Sequence, residues 1–140
     1  MHTINVGRVF IHVLLFCIVV LSGCGTAHVY SGEERPASET AIIKGSGVFP
    51  FKNVFITGVD GKSLGLKNSR AAVLPGEHRL TVHISQSYGV VELSANGTIT
   101  FTAVAGREYV VYGSVKVRKK AKFWIEDTTT SEVVGGEKPN

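Results

Sequence analysis

Cysteine is scarce in this sequence, which has only two, Cys17 and Cys24, among 140 residues. Both stand within the first 24 residues, so the chain that follows cannot form a disulfide of its own. A domain built from that part must be held together by its apolar core alone, even in an oxidising compartment. The shortage therefore excludes a fold that depends on a disulfide framework.

Strong charge of either sign is also lacking. The chain has 15 Lys and Arg against 11 Asp and Glu, a formal net charge of +4. Removing residues 1–23, which include Arg8, lowers that value to +3. Domains that bind nucleic acid are usually much more basic. We therefore do not expect a nucleic-acid partner.

The sequence has no apolar run long enough to cross a bilayer. Its longest run, residues 9–21, is broken only by His12, and it is well short of the roughly 20 residues that a spanning helix needs. Arg8 precedes the run and small residues follow it, which is typical of a secretory signal peptide. The alternative is an uncleaved, short membrane helix in which Cys24 is an ordinary thiol.

The end of this run, Leu21-Ser22-Gly23-Cys24, resembles the lipobox of bacterial lipoproteins. The resemblance implies cleavage between Gly23 and Cys24, a diacylglyceryl group on the Cys24 sulfur and acylation of the new amino end. Two or more acyl chains anchor a protein stably to a membrane. Gly25 stands where Asp would hold an enterobacterial lipoprotein in the inner membrane. The resemblance therefore implies the outer membrane, with the protein facing the periplasm.

These features divide the chain into four parts. We predict a signal peptide at 1–23, a lipidated Cys24 followed by a flexible tether at 24–40, a domain at 41–136 and a frayed tail at 137–140. The tether is polar, contains Pro36 and lacks a helical or strand period. An alternative is that Val29-Tyr30 docks on the domain as an edge strand.

From residue 41 onward, short β-branched runs alternate with turn residues at a spacing typical of sandwiches and barrels. We predict an all-β, antiparallel two-sheet sandwich of about 7–8 strands. Asp60-Gly61 and Asn96-Gly97 are predicted hairpin turns, and 86–89 is a predicted loop. The residues predicted to point inward are Leu80, Val82, Ile84, Val91, Leu93, Ile99, Phe101 and Ala103. The predicted strand 108–117 is apolar on both faces, with Val111, Val115 and Val117 on one and Val110 and Tyr112 on the other, which indicates a central strand or one packed against a neighbour. Predicted strands cover 41–44, 52–59, 62–66, 71–74, 79–85, 90–95, 98–104, 108–117 and 121–127, with a further short one through Val133-Val134.

One stretch resembles the PEGA-type repeat and related small sandwiches. The motif residues are Val59-Asp60-Gly61-Lys62 with Leu64-Gly65, followed by Val73-Leu74-Pro75-Gly76-Glu77-His78-Arg79-Leu80-Thr81-Val82. The resemblance implies a small sandwich that serves as an extracytoplasmic structural or binding module without a shared catalytic site.

Candidate catalytic and metal-binding residues do not form a convincing group. Ser63 lies in a G-x-S-x-G sequence, but the nucleophile elbow requires a helix after the serine and a loop is expected here. His78 and His83 are five residues apart on one strand, so they point to opposite faces and cannot share a metal. We predict no catalytic residue, no metal and no cofactor.

A charge cluster near the end of the chain is the candidate binding surface. It consists of Lys116, Arg118, Lys119, Lys120 and Lys122, and we call it the basic cluster. It is either a solvated hairpin end or a contact for lipid headgroups or anionic saccharides. Trp124, the only tryptophan, is either a core residue or an exposed aromatic for binding.

The expected function is therefore a lipid-anchored, non-enzymatic module of the cell envelope that binds or supports an envelope protein, glycan or lipid headgroup. An alternative of another class is an inhibitor or immunity lipoprotein that blocks a periplasmic hydrolase with a loop such as 86–89.

Overall fold

A computed structural model of the chain describes residues 25–48, 51–65 and 69–140. These residues form strands and connections, with no helix among them and therefore none that could span a bilayer. The residues of the predicted signal peptide and lipobox, including Cys24, lie outside the described part. The strands are β1 (Ala27–His28), β2 (Ala41–Gly45), β3 (Gly47–Val48), β4 (Lys52–Val59), β5 (Lys62–Ser63), β6 (Arg70–Val73), β7 (Gly76–Tyr88), β8 (Val91–Ala103), β9 (Glu108–Ser114), β10 (Lys122–Asp127) and β11 (Val133–Gly136).

The strands form two sheets, which confirms the predicted all-β sandwich. One sheet has six strands in the order β1-β6-β2-β9-β10-β11, and the other has the order β3-β4-β7-β8 with β5 paired to β4. Most pairs are antiparallel, but β1 with β6 and β2 with β9 are parallel. The strand count exceeds the prediction chiefly because three strands are only two residues long.

The core lies between the sheets and is built from alternate residues of facing strands. Leu80, Val82 and Ile84 of β7 are fully buried, as their alternation with polar neighbours predicted. They pack with side chains from the other sheet, including Tyr109 and Ile125. Burying each large aliphatic side chain contributes about 1.5–3 kcal/mol, which is how a cysteine-free domain gains its stability.

The β7–β8 hairpin is longer than the sequence predicted. Its register runs without a break from Gly76↔Ala103 to Tyr88↔Val91. The predicted turn at Asn96-Gly97 is therefore wrong, because both residues lie within β8. The predicted loop at 86–89 is also largely wrong, since β7 continues to Tyr88. The chain turns instead at Gly89, whose φ of 64° favours glycine.

The turn at Asp60-Gly61 is present as predicted. Asp60 has a φ of 51° and Gly61 a φ of 80°, the positive values that this type of hairpin turn requires. The return strand β5 ends at Ser63, earlier than predicted, and Leu66 lies outside the described residues.

Hydrogen bonds through Ser46 connect β9 of the six-stranded sheet to β4 of the other sheet. Ser46 N–H donates to the Val111 carbonyl at 2.9 Å, and Val54 N–H donates to the Ser46 carbonyl at 2.7 Å. Val54 is in turn paired with Ile84 of β7. β2 pairs parallel with β9, and both β7 and β3, which follows β2 directly, are antiparallel to β4. Strands β2, β7 and β9 therefore all run toward the same end of the sandwich, where the β7–β8 and β9–β10 connections lie. We call this the loop end, and the Asp60-Gly61 turn lies at the opposite end.

The segment before β2 lies against the first sheet. β1 extends the sheet beyond β6, and Val29 N–H donates to the Ala72 carbonyl at 3.1 Å. Val29 also packs against the core. The segment is therefore docked on the domain as an edge strand, which was the alternative to a flexible tether. The docked strand is Ala27–His28 rather than Val29-Tyr30. At the other end of the chain, Glu137 N–H donates to the Phe123 carbonyl at 2.8 Å.

Candidate binding surface

The basic cluster lies on the connection between β9 and β10 and on the first residue of β10, Lys122. Lys119 N–H donates to the Lys116 carbonyl at 3.1 Å, which closes a tight turn with Val117 and Arg118 at its centre. Arg118 has a φ of 59°, a left-handed conformation that costs a residue other than glycine about 1–2 kcal/mol. The predicted strand over 108–117 is too long at its C-terminal end. β9 ends at Ser114, so Val117 lies at the tip of the turn with 65% of its surface exposed.

Four of the five cations line one shallow depression of about 240 Å³. Its full lining is Ser114, Lys116, Lys119, Lys120, Lys122, Pro139 and Asn140. Lys122 donates to the Glu137 carboxylate, and this bond and the charge of Lys122 hold the pKa of Glu137 below its usual value. Within the described residues, the other members of the basic cluster have no salt-bridge partner. Most of the positive charge of the cluster is therefore available to an anion.

Trp124 is on the outer face of the six-stranded sheet, yet only 9% of it is exposed. Its ring stacks on Tyr112 with centroids 5.5 Å apart and planes 16° apart. Its Nε1–H donates to Glu126 Oε1 at 3.0 Å. Lys138 also donates to Glu126, and chiefly through that bond the pKa of Glu126 is lowered. Trp124 is thus largely covered, and little of its ring is left for a ligand beside the basic cluster.

The tip of the β7–β8 hairpin is an apolar surface that the sequence analysis did not identify. Tyr88, Val90 and Val91 are exposed there. Phe51 joins them, because its carbonyl accepts a bond from Ser87 N–H at 2.8 Å and its side chain is exposed. We call these four residues the hairpin tip. The signal that was missed is the pair Val90-Val91 directly after Gly89, since a turn at that glycine leaves both valines at the apex.

His78 and Asp60 are paired as the histidine and carboxylate of a catalytic dyad would be. His78 Nδ1 lies 2.6 Å from Asp60 Oδ2, and His78 Nε2 lies 2.7 Å from the Leu74 carbonyl oxygen. Burial acts to raise the pKa of Asp60, but bonds from Arg79 N–H and His78 outweigh it, so the pKa is lowered. Because both imidazole nitrogens already have partners, neither is oriented to take a proton from a nucleophile. The pair fastens the turn to β7.

The remaining candidates are dispersed. Ser63 is exposed in β5 opposite Gly58, followed by Leu64 and Gly65 outside any helix. His83 Nδ1 contacts Asn96 Oδ1 at 2.9 Å on the outer face, so it points away from His78 as predicted. In the part of the chain that the structure describes, no three His, Cys, Asp or Glu side chains are grouped as metal ligands.

Comparison of the chain with protein-family models, with curated proteins and with solved structures found no match.

Proposed function

We propose that this protein is a lipid-anchored, non-enzymatic binding module of the bacterial envelope. In this proposal residues 1–23 are removed, Cys24 carries the lipid, and the sandwich faces the periplasm from the outer membrane. The basic cluster binds an anionic envelope component. The observation that carries the binding part is the depression between the β9–β10 connection and the tail. Lys116, Lys119 and Lys120 lie together there, with no salt-bridge partner in the described part of the chain.

The chemistry of this surface favours phosphate or carboxylate groups. Lysine ammonium groups bind phosphate as point charges, and an arginine beside them adds a planar donor fork. Backbone strain at a non-glycine residue is found more often at functional positions than elsewhere, and Arg118 has a left-handed φ. The cluster therefore has the charge and the local geometry of an anion-binding loop.

The anchor is tested by lipid labelling of the full chain in a bacterial host. We expect a clickable palmitate analogue to label the wild-type protein and to leave Cys24→Ala unlabelled. The wild type should fractionate with outer membranes. An unlabelled wild type, or labelling that persists in Cys24→Ala, would contradict the lipoprotein assignment.

The binding part is tested separately with the unlipidated mature chain, in which Cys24 is replaced by Ser. We expect this protein to sediment with purified envelope fragments and the triple variant Lys116→Gln, Lys119→Gln, Lys120→Gln to remain largely in solution. Raising the ionic strength should release the parent protein, since exposed charges are screened by salt. Lys62→Gln, at the opposite end, is the matched control and should bind as the parent does. Equal retention of the triple variant would reject the basic cluster as the binding surface.

The hairpin tip favours a second candidate, an inhibitor that blocks a periplasmic hydrolase. The β7–β8 hairpin presents Tyr88 and Val90 at its apex. An exposed aromatic side chain is a frequent anchor in protein interfaces. A stoichiometric complex with a lysozyme-like enzyme, lost in Tyr88→Ala, would support this candidate. Unchanged enzyme activity at saturating protein would exclude it for the enzyme tested.

A further inference from the structure

The exposed apolar side chains are concentrated at one end of the sandwich. Seven large hydrophobic residues are exposed in the described part of the chain. Five of them lie at the loop end, namely Phe51, Tyr88, Val90, Val91 and Val117. The other two, Val104 and Val133, lie at the opposite end. Scattered exposed hydrophobics are common, but clustering at one end marks an interaction site.

Strand register shows that the two loops extend to the same side. A Cβ placed on Gly113 would lie 3.1 Å from Ile84 Cδ1, so β9 and β7 are level at these residues. From Ile84, β7 continues four residues to Tyr88, a distance of about 13 Å. From Gly113, the chain continues past the end of β9 into the turn closed by Lys116 and Lys119, which is only a few residues long. The hairpin tip and Val117 therefore both project beyond the body of the sandwich.

The start of the described chain lies at this end as well. Gly25 lines a depression with Lys44, Gly45 and Arg70, near the ends of β2 and β6 that face the loop end. β1 then runs away from the loop end, parallel to β6. Residue 24 precedes Gly25 directly, so a lipid on residue 24 would be attached at the loop end. The start of β1 is three strand spacings from β9, or roughly 14 Å.

We propose that the loop end docks on the surface of an anionic lipid bilayer. This inference rests on the proposed lipid anchor for its location, and it assigns the anionic component as phospholipid. Tyr88 enters the headgroup region, which tyrosine side chains favour, together with Phe51, Val90, Val91 and Val117. The basic cluster contacts lipid phosphates around them. The sandwich then stands with its strands pointing at the membrane.

Two features favour a lipid surface over a protein groove. The apolar residues occupy the tips of separate loops rather than one concave patch, and Val117 is surrounded by cations in its own turn. Apolar residues beside Lys and Arg are also the composition of amphipathic helices that lie in the membrane interface. An anchor leaving the same end would hold both loops within reach of the bilayer.

The test uses the mature chain with Cys24→Ser, which has no cysteine left and retains all the described strands. Val90→Cys in this protein is labelled with an environment-sensitive NBD dye. We expect a blue shift and increased emission on adding phosphatidylethanolamine vesicles that contain phosphatidylglycerol. The same dye at Thr102→Cys, an exposed position near the opposite end, should not respond. An unchanged spectrum at Val90→Cys, or an equal response at both positions, would overturn the proposal.

Affinity for the same vesicles separates the apolar and basic contributions. Each neutralised cation is expected to weaken binding about fivefold, so Lys119→Gln with Lys120→Gln should weaken it about 25-fold, whereas Lys62→Gln should not. Val90→Ser with Val91→Ser should weaken binding, and Val104→Ser, an exposed valine at the opposite end, should leave it unchanged. Pure phosphatidylcholine vesicles should bind weakly. Binding that is insensitive to both double variants would overturn the proposal.

The outcomes also distinguish this inference from the proposed function. In one outcome Cys24 is lipidated and the domain sediments with envelope fragments, but the emission of the dye at Val90→Cys does not change when vesicles are added. The module then binds another envelope component, and the docking proposal is wrong. A dye response to an envelope protein but not to lipid would identify a protein partner and also overturn docking. If vesicles bind but Cys24 is not lipidated, docking stands and the anchor fails.

Discussion

The ring of Phe123 occupies the space in which residue 97 would carry a Cβ atom. A Cβ built on Gly97 would lie 2.3 Å from Phe123 Cδ2, far inside van der Waals contact. β10 of one sheet therefore packs directly against the backbone of β8 in the other. A glycine in the middle of a strand commonly marks such a close approach.

We predict that Gly97→Ala destabilises the domain, because the Phe123 ring must move to admit the methyl group. Overpacking of this kind costs about 1–3 kcal/mol, and urea unfolding followed by circular dichroism measures it. Thr98→Ala, an exposed neighbour in the same strand, should change the free energy of unfolding by far less. Phe123→Leu in the Gly97→Ala background should recover part of the loss. Equal stabilities of Gly97→Ala and the wild type would show that the ring is free to shift.

Asp127 gives a second prediction, because it is a buried carboxylate with several donors. Its Oδ1 accepts from Thr129 N–H at 2.7 Å, and its Oδ2 accepts from Arg107 Nη1 at 3.0 Å. We expect Asp127→Ala to lower the free energy of unfolding by about 1–3 kcal/mol, since it removes several hydrogen bonds to a buried, charged acceptor. Asp127→Asn keeps an oxygen for Thr129 and should cost less. Chemical denaturation of both variants at neutral pH compares these costs.

The stability that Asp127 provides should also depend on pH. Burial acts to raise the pKa of Asp127, but the N–H groups of Thr129 and Thr130 and the charge of Arg107 outweigh it, so the folded-state pKa lies below the ordinary 3.8. A lowered folded-state pKa means that the stabilisation is present above pH 3.8 and is lost as the pH falls through the folded value. Asp127→Asn should remove this part of the acid dependence, and an identical pH profile for both proteins would contradict the assignment.

A third prediction concerns the hydrogen-bonded contact between Asp60 and His78. Asp60→Gly removes the carboxylate and still tolerates the positive φ at this position. We expect a loss of about 0.5–1.5 kcal/mol for each hydrogen bond removed. His78→Ala should cost a similar amount, and the two changes together should cost less than their sum because they share one contact. Lys62→Ala in the same hairpin is the control, and strictly additive losses would show that the contact is not formed in solution.

Tyr112 and Trp124 give a fourth prediction. Trp124 is the only tryptophan, so its stacked environment should dominate the near-ultraviolet circular dichroism of the folded protein. Tyr112→Leu should reduce that signal and lower stability by about 0.5–1.5 kcal/mol through loss of the aromatic pair. Tyr88→Leu alters an exposed tyrosine and should leave both the signal and the stability near wild type. A spectrum that is unchanged in Tyr112→Leu would argue against the stack.

Much of the fold was predictable because alternation and turn chemistry are local signals. β4 covers the residues predicted for it, and the inward faces of β7 and the second half of β8 follow the apolar alternation. The turn predicted at Asn96-Gly97 is absent because the turn preference of this pair is outweighed by pairing along the whole β7–β8 ladder. Packing of the Phe123 ring against Gly97 also favours the strand. The parallel pairing of β2 with β9 joins segments that are distant in sequence, and no local pattern encodes it.

The candidate surface was predictable only in part. The basic cluster is visible in the sequence as a run of cations, and four of its five residues do line one depression. The apolar hairpin tip was missed because exposure there depends on how far β7 continues before it turns. Trp124 could not be assigned from alternation alone, since its cover comes from Tyr112 on the neighbouring strand.

The parallel pairing of β1 with β6 has a consequence for the behaviour of shortened forms of the protein. β6 would otherwise present unpaired backbone groups along the border of the sheet, and such borders recruit strands from other molecules. Ala27 and His28 block that border with a strand of only two residues, too short to offer a new template. The stretch beside the proposed lipid attachment site is therefore also expected to limit self-association, and a shortened form that starts at β2 would lose this protection.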